Sequence, residues 1–178
     1  MPRILGIDPG SQITGWGVID YDRGAIRHVE HGTIRLGQGP MIGRLDSLYT
    51  QMRAIVARLS PDHVAMERVF VQRNPDTALK LGQARAAALC ATFDTERAAF
   101  DYAPAEVKKA VVGTGRASKE QVQHMVSMLL GLREAPVEDA ADALAIAICH
   151  AHGSDLKAKL GVGLRRKRSR WHGPGGVA

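Results

Sequence analysis

The chain has 178 residues, enough for one well-buried core and too few for two of ordinary size. Its 45% apolar content excludes wholesale disorder, and no apolar run approaches the ~20 residues of a membrane span. The formal net charge is +6, but residues 1–156 carry 17 Lys+Arg against 18 Asp+Glu, whereas residues 157–178 carry 7 and none. The positive excess therefore belongs to the tail, and the charge sum does not by itself make the body a polyanion binder.

Arg3 to Asp8 (RILGID) reads as a short buried strand ending in an acid, followed by a Pro9-Gly10 turn signal. The opening MPRILGID meets Asp8 too soon for a secretory signal. Thr14 to Tyr21 and Ile26 to Leu36 are two further strands, with Asp22-Arg23-Gly24 between them as a hairpin turn. Leu45, Leu48, Met52, Ile55, Val56 and Leu59 recur at helical spacing, and Ser60-Pro61 closes that helix. His63 to Phe70 is a fourth strand with Glu67 inside an apolar frame. An Ala-rich helix is expected from about Asp76, its N-cap, to Phe93, and a fifth short strand from Ala98 to Tyr102. Helices over Pro104–Val112 and Ser118–Leu130 are separated by Gly113 and Gly115, and a last helix runs from Glu138 to His150. The order predicts one α/β domain, residues 1–153, with a five-stranded mixed sheet flanked by helices. Residues 154–178 read as a basic tail, expected to be disordered. Cys90 and Cys149 have no metal-ligand spacing and read as buried, reduced thiols of a cytoplasmic protein.

Asp8 and Glu67 lie in the two most convincingly buried strand patterns, where an ionised carboxylate needs a cation, a partner or several hydrogen bonds. A salt bridge or a turn cap would explain either one alone. The third segment, EDAADALAIA, places Asp139 and Asp142 three apart on one face near the start of an otherwise apolar helix. If these segments are neighbours, four carboxylates converge, and their repulsion calls for divalent cations. Oxygen-only ligands favour Mg²⁺ or Mn²⁺ over zinc, and such a cluster open on one side points toward phosphoryl transfer.

These residues resemble the RuvC family. LGIDPGS (Leu5 to Ser11), TGWGVI (Thr14 to Ile19), MERVF (Met66 to Phe70), ALKLGQARA (Ala78 to Ala86), QVQHMV (Gln121 to Val126) and DAADALAIAI (Asp139 to Ile148) occur in the family's order and spacing. The resemblance covers residues 3 to about 152 and leaves the tail unassigned. It implies an RNase H-like fold and a Mg²⁺-dependent resolvase of four-way DNA junctions acting in recombination and repair. Asp8, Glu67, Asp139 and Asp142 would be its catalytic metal-binding acids. Two ions per site, with Mn²⁺ as a substitute, would be bridged by Asp8 and the scissile phosphate, leaving a 5′-phosphate and a 3′-hydroxyl.

Lys108 and Lys119 are similar in place to family lysines that contact the DNA backbone, although by their residue type alone each also reads as solvated helix surface. Phe70 is expected to stack on a base unpaired at the junction centre, although a core role capping the sheet is an equal reading. Arg73 in the same loop is a candidate phosphate contact, while Lys80 and Arg85 read as ordinary surface. Glu138 is a helix-start residue favoured by the dipole, and His150 and His152, pointing apart, read as packing or surface groups. The resemblance further implies a homodimer with no membrane association and with the branch-migration proteins RuvA and RuvB as partners. The Ala-rich stretch from Leu81 to Ala91 suits either close approach across a dimer interface or internal packing.

Three rivals stand beside this reading. A related nuclease cutting RNA–DNA hybrids would carry the same fold and acids. GIDPG also resembles the phosphate loop of actin-like ATPases and sugar kinases, but those need two related domains and this chain has room for one. A silent junction-binding scaffold would have no reason to bear the repulsion of four acids.

Overall fold

The computed structural model describes residues 1–68, 74–93 and 98–159. Five strands, β1 (Arg3–Asp8), β2 (Ile13–Asp22), β3 (Ala25–Arg35), β4 (His63–Glu67) and β5 (Ala98–Tyr102), form one sheet in the order β3-β2-β1-β4-β5. The first three are antiparallel, and β4 and β5 run parallel to β1. Five helices complete the fold: α1 (Met41–Leu59), α2 (Pro75–Cys90), α3 (Pro104–Val112), α4 (Lys119–Leu130) and α5 (Glu138–Lys159). This is the mixed-sheet, RNase H-like architecture expected from the sequence. Among the described residues no helix is long and apolar enough to cross a membrane.

Strand alternation divides the core into two layers. Leu5, Ile7, Trp16, Val18, Val64 and Met66 pack under α1 and α2. Ile4, Ile19, Tyr21 and Ala65 pack with α3, α4 and α5 on the opposite face. Asp8 continues the alternation of Ile4 and Gly6, and Glu67 that of Ala65, so both acids belong to the α5 face. The β2–β3 hairpin turns through Arg23 and Gly24, whose φ values of 46° and 96° suit the right-handed twist of a two-residue loop. At the other end of β1, Arg3 donates to both carboxylate oxygens of buried Asp20, at 2.8 and 3.2 Å, and Arg27 donates to the same carboxylate at 2.6 Å. These guanidinium bonds hold the Asp20 carboxyl below the usual carboxylate range.

Four expectations change, the first being that α2 ends at Cys90 and not at Phe93. The N-cap of α2 is Asn74, not Asp76: its side-chain oxygen accepts from the N–H groups of Asp76 and Thr77 at 3.0 and 3.4 Å. Pro75 at the first helical position completes the Asn-Pro start signal, and Asp76 instead pairs with Lys80 one turn on, at 2.6 Å. The final helix passes His150 and Gly153 to end at Lys159, since one glycine costs only about 1 kcal/mol in a helix interior. Cys149 is buried as expected, but Cys90 is exposed. It ends α2 about 200° around the helix from buried Ala88, on the side away from the core.

Candidate active site

β1 and β4 are parallel and in register to Ile7↔Met66, so Asp8 and Glu67 leave the sheet side by side at the carboxyl ends of their strands. Ligand sites in α/β sheets gather at such ends. The third parallel strand, β5, stops at Tyr102 opposite Glu67 and hands the chain to α3, which carries Lys108. Glu106 starts that helix by accepting from the Ala103 N–H at 2.7 Å. A reciprocal capping box between Ser118 and Gln121 starts α4 immediately before Lys119. Helix α5 brings Asp139 in its first turn and Asp142 one turn later.

Glycines let α5 lie directly on the sheet. A Cβ on Gly6 would stand 2.0 Å from the Ala143 carbonyl oxygen, and one on Gly15 would stand 1.9 Å from that of Asp139. A Cβ on Gly17 would meet the Leu144 side chain at 2.6 Å. Backbone contact between helix and sheet therefore sets how near Asp139 and Asp142 come to the strand acids.

These elements enclose a cleft of about 340 Å³ lined by Asp8, Glu67 and Asp142, by Lys108 and Lys119, and by an apolar wall that includes Val107, Val122 and Ile146. Asp139 does not line the cleft, but its charge reaches both Asp8 and Asp142. Burial first, then repulsion from Asp142, Glu67 and Asp139, raises the Asp8 carboxyl to about 8. Burial and the neighbouring acids also raise Glu67 and Asp142. Lys119 opposes the shift at all three acids, and Lys108 opposes it at Glu67 and Asp142.

Among the described residues no three His, Cys, Asp or Glu side chains are already gathered tightly enough to hold one ion. The acids nonetheless fit divalent cations by their chemistry. They present oxygen donors only, they are partly buried, and two lysines leave their negative charge incompletely compensated.

The cleft thus collects Asp8, Glu67, Asp142, Lys108 and Lys119 from the residues singled out in the sequence, with Asp139 beside it. Phe70 and Arg73 lie outside the described residues. Lys108 donates from Nζ to the Ala117 carbonyl at 2.8 Å, tying α3 to the α3–α4 loop. Lys119 forms an ion pair with Glu138, which therefore has a partner beyond the helix dipole. Lys80 and Arg85 are engaged with Asp76 and Asp101. His150 is buried, whereas His152 is exposed and bonded to the Ala110 carbonyl at 3.2 Å.

The model of the family "Crossover junction endodeoxyribonuclease RuvC" matches residues 4–150. The protein of that name from Alkalilimnicola ehrlichii is 53% identical over 160 residues, covering 90% of this chain and 97% of its own. The one from Marinobacter nauticus is 50% identical over 152 residues, covering 85% and 87%. The solved structure of T. thermophilus RuvC in complex with Holliday junction substrate superposes with a TM-score of 0.81 at 34% identity, covering 91% of this chain and 98% of that one. A match across nearly the whole described fold, joined to half-identical relatives of similar length, places the chain in the RuvC family of crossover junction endodeoxyribonucleases.

Proposed function

We propose that this chain resolves four-way DNA junctions by symmetric nicks in two strands of like polarity, hydrolysing each phosphodiester to a 5′-phosphate and a 3′-hydroxyl. The observation that carries this reading is the cleft itself: three carboxylates from β1, β4 and α5 face two lysines from α3 and α4. Asp8, Glu67, Asp139 and Asp142 would hold the divalent ions, two Mg²⁺ per site with Mn²⁺ able to substitute. When bound, such ions supply Lewis-acid activation of water and stabilisation of the leaving oxygen. The chain's own part is to keep the carboxylates open to the cleft while the apolar wall of Val107, Val122 and Ile146 limits water around them.

Lys108 and Lys119 would hold the DNA backbone, contacts that position the strand without reading its sequence. Lys119→Ala is expected to weaken junction binding in EDTA and to lower the slope of log affinity against log salt by about 0.9, the share of one phosphate contact. Binding titrations across salt concentrations measure this, and an unchanged slope would return Lys119 to ordinary surface. Phe70 and Arg73 follow Glu67 closely in sequence, which supports a base-stacking role for the first and a phosphate contact for the second.

Two cuts of like polarity need two sites, which favours a two-fold homodimer. Leu79 on α2 and Phe93 just beyond it are each 62% exposed, and they support α2 as the shared face. RuvA and RuvB remain the partners that family membership favours.

The test is incubation with a labelled mobile four-way junction, a linear duplex and an RNA–DNA hybrid, each with and without Mg²⁺. Paired metal-dependent nicks in the junction alone are expected. Preferential cleavage of the hybrid, or binding without any cut, would overturn the proposal.

A further inference from the structure

Helix α5 carries two of the four acids, yet the face it turns to the sheet is rich in alanine. Ala140, Ala143, Ala147 and Ala151 are fully buried, and Gly6, Gly15 and Gly17 face it from the sheet. Such a contact fixes the separation of helix and sheet, but small residues on both sides resist rolling of the helix only weakly. One large polar side chain interrupts this smooth surface. His150 is 1% exposed and hydrogen-bonded at both ring nitrogens: Nδ1 lies 2.7 Å from the Tyr102 hydroxyl and Nε2 lies 2.9 Å from His63 Nδ1. Phe100 packs on the same ring at a centroid distance of 4.4 Å. The clasp therefore comes from β4 and β5, the strand pair that ends beside Glu67.

The geometry connects this clasp to the cleft in two ways. Asp142, Ile146 and His150 follow one another at four-residue spacing along α5, and the first two line the cleft. The eight residues from Asp142 to His150 span about 12 Å of helix axis. Tyr102 is also the register partner of Glu67, and its carbonyl accepts from the Arg68 N–H at 2.8 Å. One hydrogen-bonded chain thus grips both the helix bearing Asp142 and the strand end bearing Glu67.

We propose that His150, held by Tyr102 and His63, is a positioning residue that sets the roll of α5 and so the approach of Asp142 to Asp8 and Glu67. A buried polar network satisfied at both ends specifies one orientation where apolar packing accepts several. The proposal rests on the reading of the acids as a divalent-cation site, because it concerns how they are arranged to receive the ion.

Tyr102→Phe is the sharpest variant, since it removes one hydroxyl and keeps the ring. Two quantities are measured on the full chain: the Mg²⁺ concentration for half-maximal junction cleavage, and the rise in Tm on adding Mg²⁺ in the absence of DNA. The variant is expected to need about 10-fold more Mg²⁺ in both, the low end of the range of about 10- to 100-fold for partners behind a metal ligand, because Tyr102 acts through His150 and not on an acid directly. Junction affinity in EDTA is expected to stay unchanged. His150→Gln, which keeps a hydrogen-bonding group near the Nε2 position, is expected to fall between wild type and His150→Ala. A lower Tm with unaltered Mg²⁺ dependence would make the clasp merely structural and overturn the proposal. If the wild-type protein shows neither Mg²⁺-dependent cleavage nor a Mg²⁺-induced Tm rise, the underlying cation-site reading fails instead.

Discussion

Asp8→Asn is expected to abolish junction cleavage by about a thousandfold or more while making the metal-free protein more stable. The loss of activity follows from removing the carboxylate at the centre of the cluster. A thousandfold corresponds to about 4 kcal/mol of transition-state stabilisation, within what metal-assisted hydrolysis can lose with one ligand. The gain in stability follows from the charge balance. In the folded chain the Asp8 carboxyl is raised from its ordinary value of 3.8 to about 8, by burial first and then by Asp142, Glu67 and Asp139. The folded state therefore binds more protons than the unfolded state between those two values. Stability falls as pH rises through that window and stays at its reduced level above it. Asparagine keeps the shape and removes this dependence on Asp8.

At pH 8.5 in EDTA the variant is expected to gain on the order of 1–3 kcal/mol over wild type. For a chain of this size that is a rise in Tm of about 3–8 °C. At pH 4 the two proteins should nearly coincide. Added Mg²⁺ should raise the wild-type Tm and have much less effect on the variant, because binding to the native state stabilises in proportion to affinity. Thermal unfolding at the two pH values, with and without metal, measures all of this. A variant less stable than wild type at pH 8.5 would mean that the cleft already compensates the acid, and the repulsion account of the site would fall.

The same acids explain why the site was legible in sequence. A carboxylate within an apolar strand violates burial so strongly that Asp8 and Glu67 stand out without any structure, and the Asp139/Asp142 spacing puts both on one helical face. The succession of strands and helices along the chain was legible for a related reason: alternation of two and periodicity of 3.6 are local signals that survive in a single chain. What escaped depends on partners distant in sequence. Gly6, Gly15 and Gly17 carry no periodic signal, and their role exists only because α5 lies across them. His150 draws its meaning from His63 and Tyr102, which lie 87 and 48 residues away in the chain. Asn74 could have been identified from the sequence, because Asn-Pro is a helix start; Asp76, the acid two residues later, drew the assignment instead. Cys90 misleads because composition makes cysteine a core residue, whereas its position on α2 turns it outward.

Gly15→Ala is the second large effect, and it tests whether helix–sheet contact sets the geometry of the acids. The added Cβ would stand 1.9 Å from the Asp139 carbonyl oxygen and 3.1 Å from the Ala140 nitrogen. Both are backbone atoms, so no side-chain rotation relieves the clash. Ordinary contact begins near 3.4 Å, and the first turn of α5 must retreat by about 1.5 Å. That movement carries Asp139 directly and Asp142 through the helix. Overpacking of this kind destabilises by about 1–3 kcal/mol, and a displacement of about 1 Å at reacting groups can reduce rate by about a hundredfold. Gly43→Ala in α1 is the control: nothing lies within 4 Å of its Cβ position, and relief of glycine's backbone freedom should stabilise by about 0.5–1 kcal/mol. Cleavage rates and denaturant midpoints of the two variants make the comparison. Equal behaviour would show that α5 yields freely, and the arrangement of the acids would then have to be maintained by something other than its close seat on β1 and β2.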